Sequence, residues 1–232
     1  MKTIGLIGGM SWESSAVYYR LINQGVRQRL GGAHSARSLM LSVDFGEVEK
    51  LQHEGKWEPL SQIMVDAASD LQKGGADCVV ICTNTMHKMA DDVAASVSIP
   101  LLHIADAAAE RVKADGIKRV GLLGTAFTME QDFYKGRLRE RHGLDVIIPG
   151  EQDRKAVHDV IYSELIVGKV ENASRRAYQG IIARLTDEGA EAIILGCTEI
   201  MLLVGPDDCP VPLYDTTVIH AAAAVDFALS SG

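Results

Sequence analysis

The stretch Ala190-Glu191-Ala192-Ile193-Ile194-Leu195-Gly196-Cys197-Thr198-Glu199 decides how the chain is read. An earlier segment, Ala76-Asp77-Cys78-Val79-Val80-Ile81-Cys82-Thr83-Asn84-Thr85, lies on it without gaps. Ala76 meets Ala190, Asp77 meets Glu191, two apolar runs coincide, and Thr83 falls opposite Cys197. Each segment is a short apolar run closed by small polar residues, the pattern of a buried parallel strand that ends in a loop. One strand and turn therefore occur twice, with a hydroxyl at the end of one copy and a thiol at the end of the other.

Working outward, residues 2–7 read as a strand, followed by the turn Gly8-Gly9-Met10-Ser11. Helical spacing runs over 12–30, with Ser11 as N-cap and Glu13 in the first turn, and Gly31-Gly32 stops it. A strand at 38–43 gives way to a polar stretch at 44–55, and a helix near 59–73 ends at Gly74-Gly75. After the Thr83 strand, a helix at 86–96 leads to the strand pattern at 99–104. The order then begins again, because residues 119–125 echo residues 3–9. Thr128-Met129-Glu130-Gln131 has capping-box form and predicts a helix to His142-Gly143. A strand at 145–148, helices at 154–167 and 173–187, and the Cys197 strand follow. Val211-Pro212-Leu213-Tyr214 then matches Ile99-Pro100-Leu101-Leu102, and a last helix spans about 216–229.

Three paired landmarks at offsets of 112 to 116 residues amount to an internal duplication. Strands alternating with helices predict an α/β protein of two pseudo-symmetric, flavodoxin-like lobes, each a parallel sheet flanked by helices. In such sheets ligands bind beyond the carboxyl ends of the strands. The turns at 8–11, 83–85, 125–128 and 197–199 all fall there. A pseudo-two-fold relation between the lobes would bring them to one cleft, which is the expected active site.

Composition narrows the alternatives. At 232 residues with 47% apolar content, the chain can bury a real core and is not disordered. A net charge of −8 argues against nucleic-acid or anionic-membrane partners, which require clustered Lys and Arg. No signal-peptide core forms before Gly8, and no apolar run approaches the roughly 20 residues of a membrane span. Four cysteines without a C-x-x-C pair suit a reducing cytoplasm, the expected location.

Cys197 stands after a glycine and before an expected helix start, where amides stabilise an anion and can draw a thiol pKa towards neutrality. Cys78 reads as a core residue, Cys209 beside Pro210 as a surface-loop residue, and Cys82 as pointing away from Thr83 by strand alternation. A lone Thr83 would be an ordinary cap, so its meaning comes from its counterpart Cys197. Asn84, Thr85 and Thr198 supply donors and acceptors beside the pair. Gly8-Gly9 with Met10 and Ser11, and Thr125 with Thr128, read as amide-and-hydroxyl nests for a carboxylate, with phosphate as the competing ligand. The turn at Gly8 lacks both the dinucleotide and the P-loop pattern. His87 reads as a helix residue near the site, and no histidine spacing suggests a metal.

Cys82-Thr83-Asn84-Thr85-Met86-His87, Gly196-Cys197-Thr198-Glu199 and Gly8-Gly9-Met10-Ser11 resemble the aspartate/glutamate racemase family nearly end to end. The likeness is to bacterial L-aspartate/glutamate racemases in which one catalytic cysteine is a threonine. It implies two lobes around a cleft, no pyridoxal phosphate and no metal, an amino-acid substrate and a homodimer. Thr83 and Cys197 would flank the α-carbon, one removing its proton and the other delivering one to the opposite face. The likeness also implies that the final strand and helix return to the first lobe, giving lobes of 1–98 plus 208–232 and of 99–207.

The chain departs from aspartate-specific relatives, which carry an arginine after the second strand and a lysine before the glycine matched by Gly168. Here residues 44–52 hold no arginine, and Ile166 stands near the lysine's place. Gln52 is left as a hydrogen-bond donor to a side-chain carboxylate, a weaker reader of charge than a guanidinium. A broad-specificity amino-acid racemase and a non-catalytic amino-acid sensor are therefore the alternative functions. Hydantoin racemases, and the maleate isomerase and arylmalonate decarboxylase relatives, share the two-lobe plan.

Overall fold

The computed structural model describes residues 1–230. The chain divides into two compact units, Met1–Ile104 with His220–Gly232, and Ala105–Ile219. In the first, β1 (Ile4–Gly8), β2 (Ser38–Ser42), β3 (Cys78–Ile81) and β4 (Leu101–Leu102) form a parallel sheet of order β2-β1-β3-β4. In the second, β5 (Arg119–Gly124), β6 (Asp145–Ile147), β7 (Ala192–Gly196) and β8 (Leu213–Asp215) repeat that order as β6-β5-β7-β8.

The register repeats as well. Ile4 lies opposite Cys78 and Val79 opposite Leu101, as Val120 lies opposite Ala192 and Ile193 opposite Leu213. A one-residue slip would turn every side chain to the other face, so equal register places equivalent residues at equivalent sheet ends.

The pairing corrects the expected lobe boundaries. The strand pattern at 99–104 yields β4, which closes the first sheet, and Val211-Pro212-Leu213-Tyr214 leads into β8, which closes the second. Each is the fourth strand of its own repeat and adds beside the third. Residues 208–215 therefore stay with the second unit, and the chain returns to the first within α10 (Thr216–Leu229).

The first unit's helices show why the apolar spacing works. Helix α1 (Trp12–Leu30) buries Tyr18, Ile22 and Val26 at intervals of four, against Leu6, Val80 and the alanine-rich face of α10. Helix α2 (Phe45–His53) occupies the polar stretch at 44–55, where Asp44 caps it by accepting from the Gly46 amide at 3.0 Å. Helix α3 (Trp57–Lys73) packs Leu60, Met64, Ala68 and Leu71 on the sheet's other face. Each fully buried aliphatic side chain of this kind contributes roughly 1.5–3 kcal/mol of transfer free energy. The helix predicted over 86–96 is divided, a tight 3-10 turn at Thr85–Met89 preceding α4 (Ala90–Ser96).

In the second unit, α5 (Ile104–Ala114) fills a segment in which no helix was expected. The helix predicted from Thr128 is two helices, α6 (Ala126–Glu130) and α7 (Asp132–His142). Helices α8 (Glu151–Ser163) and α9 (Asn172–Asp187) place Val157, Ile161, Tyr178, Ile182 and Leu185 against Leu123, Ile193 and Leu195.

His220 anchors the returning α10. Its Nε2 lies 2.8 Å from the Leu102 carbonyl and its Nδ1 2.9 Å from the Tyr18 hydroxyl. A carbonyl only accepts, so Nε2 carries the proton and Nδ1 accepts from Tyr18. Burial pushes the His220 pKa down to about 4 from 6.5. Between those values the unfolded chain binds more protons than the folded one, so stability falls as the pH drops from 6.5 through 4. The loss from this residue approaches about 3 kcal/mol. Urea unfolding between pH 7 and pH 4.5 should show this decline, and His220→Gln should flatten it. An identical slope in the variant would contradict the assignment.

Candidate active site

Both parallel sheets end in a capped turn. After β1, Gly9 takes φ +92°, and a Cβ there would lie 2.2 Å from the Val43 carbonyl oxygen, so only glycine fits. Its N–H donates to Ser15 Oγ at 2.8 Å. Ser11 then caps α1, its hydroxyl accepting from the Ser14 amide at 3.3 Å, with the two hydroxyls 3.3 Å apart. After β5, Thr125 caps α6 in the same way. It accepts from the Thr128 amide at 3.3 Å, and the two hydroxyls are 3.2 Å apart. Ser11 and Thr125, Ser14 and Thr128, and Thr83 and Cys197 are each separated by 114 residues. Thr128 is thus the fully buried donor of the cap rather than the first residue of a capping box.

Thr83 follows the end of β3, where Cys82 N–H makes the last ladder bond, to the Ile7 carbonyl, at 2.9 Å. Thr83 is half-buried, whereas Asn84 and Thr85 beside it are buried. Met10 and Met86 belong to the apolar cluster under α3, so the Met10 side chain serves the core. Gln52, on α2, is also buried and donates from Nε2 to Met86 Sδ at 3.2 Å. Met10, Ser11, Gln52, Thr83, Asn84 and Thr85 therefore belong to one end of the first sheet.

Thr125, Thr128, Cys197 and Thr198 share the corresponding end of the second. Gly124 and Gly196 are register partners, and a Cβ on Gly124 would lie 2.8 Å from the Gly196 carbonyl oxygen. The last rung carries no side chain, and Cys197 follows directly. Its thiol donates to Glu199 Oε2 at 3.1 Å, and the Thr198 hydroxyl donates to the same oxygen at 2.6 Å. Cys197 and Glu199 are both buried.

Burial and the Glu199 carboxylate push the Cys197 thiol well above its ordinary value, although the Glu199 and Ile200 amides pull it down. The sequence expectation of a thiol drawn towards neutrality is overturned. A 3-10 turn at Ile200–Leu202 stands where a helix was expected, and an anion adjoins the sulfur. Sequence reading missed Glu199 as a site residue. Its signal was the two-residue spacing from Cys197, which lets both side chains meet in a tight turn. Cys78 is fully buried, as expected of a core residue, and Cys82 is fully buried in the same cluster. Cys209 is half-buried against the second core rather than lying free on a surface loop.

The family model for Asp/Glu/hydantoin racemases matches residues 7–224. The chain belongs to the Asp/Glu/hydantoin racemase family. It is accordingly an isomerase, with the two-sheet α/β architecture of its racemase neighbours. A putative Asp/Glu racemase from Yersinia pestis is similar at 54% identity and TM-score 0.94, over 99% of this chain and 100% of that one. An aspartate racemase homologue from Pyrococcus horikoshii is 33% identical at TM-score 0.86, over the same shares of each chain. The broad-specificity amino-acid racemase RacX of Bacillus subtilis is 22% identical over 168 residues, 72% of each chain. Among the described residues, no group of three or more His, Cys, Asp or Glu could hold a metal ion, and no helix is long and apolar enough to cross a membrane.

Glu199→Gln removes the charge that holds the Cys197 proton. Alkylation by iodoacetamide at pH 8, followed at the Cys197 peptide by mass spectrometry, should accelerate about tenfold. An unchanged or slower reaction would contradict the role given to the carboxylate.

Proposed function

We propose that this chain racemises aspartate and glutamate without a cofactor, by two-base proton transfer between Cys197 and Thr83 on opposite faces of the α-carbon. The observation that carries the reading is the duplication: the two residues occupy the same place in two sheets of equal order and register. Inverting a stereocentre by proton exchange requires an acid and a base on opposite sides. A duplicated fold supplies two equivalent positions, and a pseudo-two-fold relation would make them face each other.

The reading includes Glu199. Its charge keeps the resting Cys197 protonated, and once solvent has taken that proton the thiolate abstracts the α-proton. The carbanion then takes a proton from the Thr83 hydroxyl at the other face, the inverted amino acid leaves, and solvent returns a proton to the Thr83 alkoxide. In the reverse direction Thr83 removes the proton and the Cys197 thiol supplies one. The amide-and-hydroxyl nests at Ser11 and Thr125 would hold the α-carboxylate, where negative charge gathers in the transition state. A threonine hydroxyl is a far weaker base than a thiolate, so the enzyme is asymmetric, and the family resemblance implies that the L-enantiomer is the favoured substrate.

One observation favours broader specificity as a second reading. The candidate reader of a side-chain carboxylate, Gln52, is buried against Met86 and carries no charge. The similarity to RacX points the same way. A homodimer, a cytoplasmic location and independence from pyridoxal phosphate complete the proposal.

A chiral assay of the purified protein against a panel of L- and D-amino acids, with nothing added, tests both readings. Interconversion confined to aspartate and glutamate supports the first, turnover of many neutral amino acids the second, and none at all contradicts both. Cys197→Ser should lower α-proton exchange from L-substrate in deuterated water by at least about 10²-fold. Thr83→Cys should narrow the difference between the enantiomers.

A further inference from the structure

Thr83 has no helix to hold it, since it lies between the end of β3 and the 3-10 turn at Thr85–Met89. Its carbonyl lies 2.7 Å from His87 Nδ1, and the Ile104 amide lies 3.2 Å from His87 Nε2. An amide N–H only donates, so Nε2 is the bare nitrogen and Nδ1 carries the proton donated to the Thr83 carbonyl. The ring thus has one tautomer, with Thr83 on one side and Ile104, two residues beyond β4, on the other.

The ring is itself braced. His103 lies 4.6 Å from it between centroids and His220 5.7 Å, the latter edge-on. His220 is fixed by Tyr18 and by the Leu102 carbonyl. Tyr18, His87, His103 and His220 are all buried. Two hydrogen-bonded histidines therefore tie the end of β3, the end of β4, α1 and α10 together immediately behind Thr83.

We propose that His87 is a positioning residue for Thr83, fixing its backbone so that the hydroxyl is held where it can exchange a proton with the α-carbon. This rests on the two-base reading above. An aligned donor matters because a misplacement of about 1 Å can reduce a rate about 10²-fold.

The test follows L-glutamate in deuterated water and separates two products. Deuterium washed into recovered L-glutamate reports Cys197 acting alone, and deuterated D-glutamate reports transfer through Thr83. In His87→Asn the amide nitrogen stands near the place of Nδ1 and can still donate to the Thr83 carbonyl. In His87→Gln the polar group stands near the place of Nε2, and that bond is lost.

His87→Gln should keep wash-in within about threefold of wild type while inversion falls about 10- to 100-fold, with KM little changed. His87→Asn should recover most of the inversion. Thermal unfolding of both variants reports whether they are folded. Equal losses of wash-in and inversion in both variants, or an unchanged partition in both, would overturn the proposal. Should wild type give neither wash-in nor deuterated inverted product with glutamate or aspartate, the two-base reading fails, and this inference with it. If only Cys197→Ser removes wash-in and His87→Gln leaves the partition intact, the positioning role alone is wrong.

Discussion

A parallel strand delivers the residue that follows it to one edge of the sheet and to no other. Hydrogen bonding fixes how far along that edge the residue emerges, and register fixes which way it points. In this chain the constraint is applied twice. Ile4 opposite Cys78 and Val120 opposite Ala192 set the third strand of each sheet at the same height against the first. Thr83 and Cys197 occupy equivalent positions as a result, and so do the caps at Ser11 and Thr125.

Equivalent position does not bring equivalent chemistry. The thiol at Cys197 is pressed towards its neutral form by burial and by a neighbouring carboxylate, which accepts its hydrogen bond. At Thr83 the side chain is a hydroxyl, and it is the backbone that is fastened, through His87. One half of the duplication is specialised by electrostatics and the other by anchoring. That division matches the needs of the proposed reaction, in which the thiolate is the stronger base and the hydroxyl must be held in line.

Much of this was legible in the sequence, because β-branched runs, glycine stops and caps are local signals. Helices α1 and α10 were found at their observed bounds, since Tyr18, Ile22 and Val26 repeat at helical spacing and Gly31 ends the first. Helix α5 was not, because between Ile104 and Val112 its buried face is only Ala105, Ala108 and Ala109, too small to register as an apolar stripe. Helix α2 was hidden by polarity, its buried face consisting of Val48 and Gln52. The division of α6 from α7 turns on Gln131, whose extended backbone nothing local announces. The lobe boundaries were misplaced because pairing is not local: β4 and β8 are recognised only by the strands beside them. The site residues were visible as a repeat, whereas the raised thiol pKa and the histidine brace depend on contacts between distant segments.

The central claim is geometric and can be measured directly in a crystal of the enzyme with L-glutamate or L-aspartate bound. The account predicts the Cys197 sulfur and the Thr83 hydroxyl oxygen on opposite sides of one α-carbon, each within about 3–3.5 Å of it. Both atoms on the same side, or the two residues in separate pockets, would contradict it.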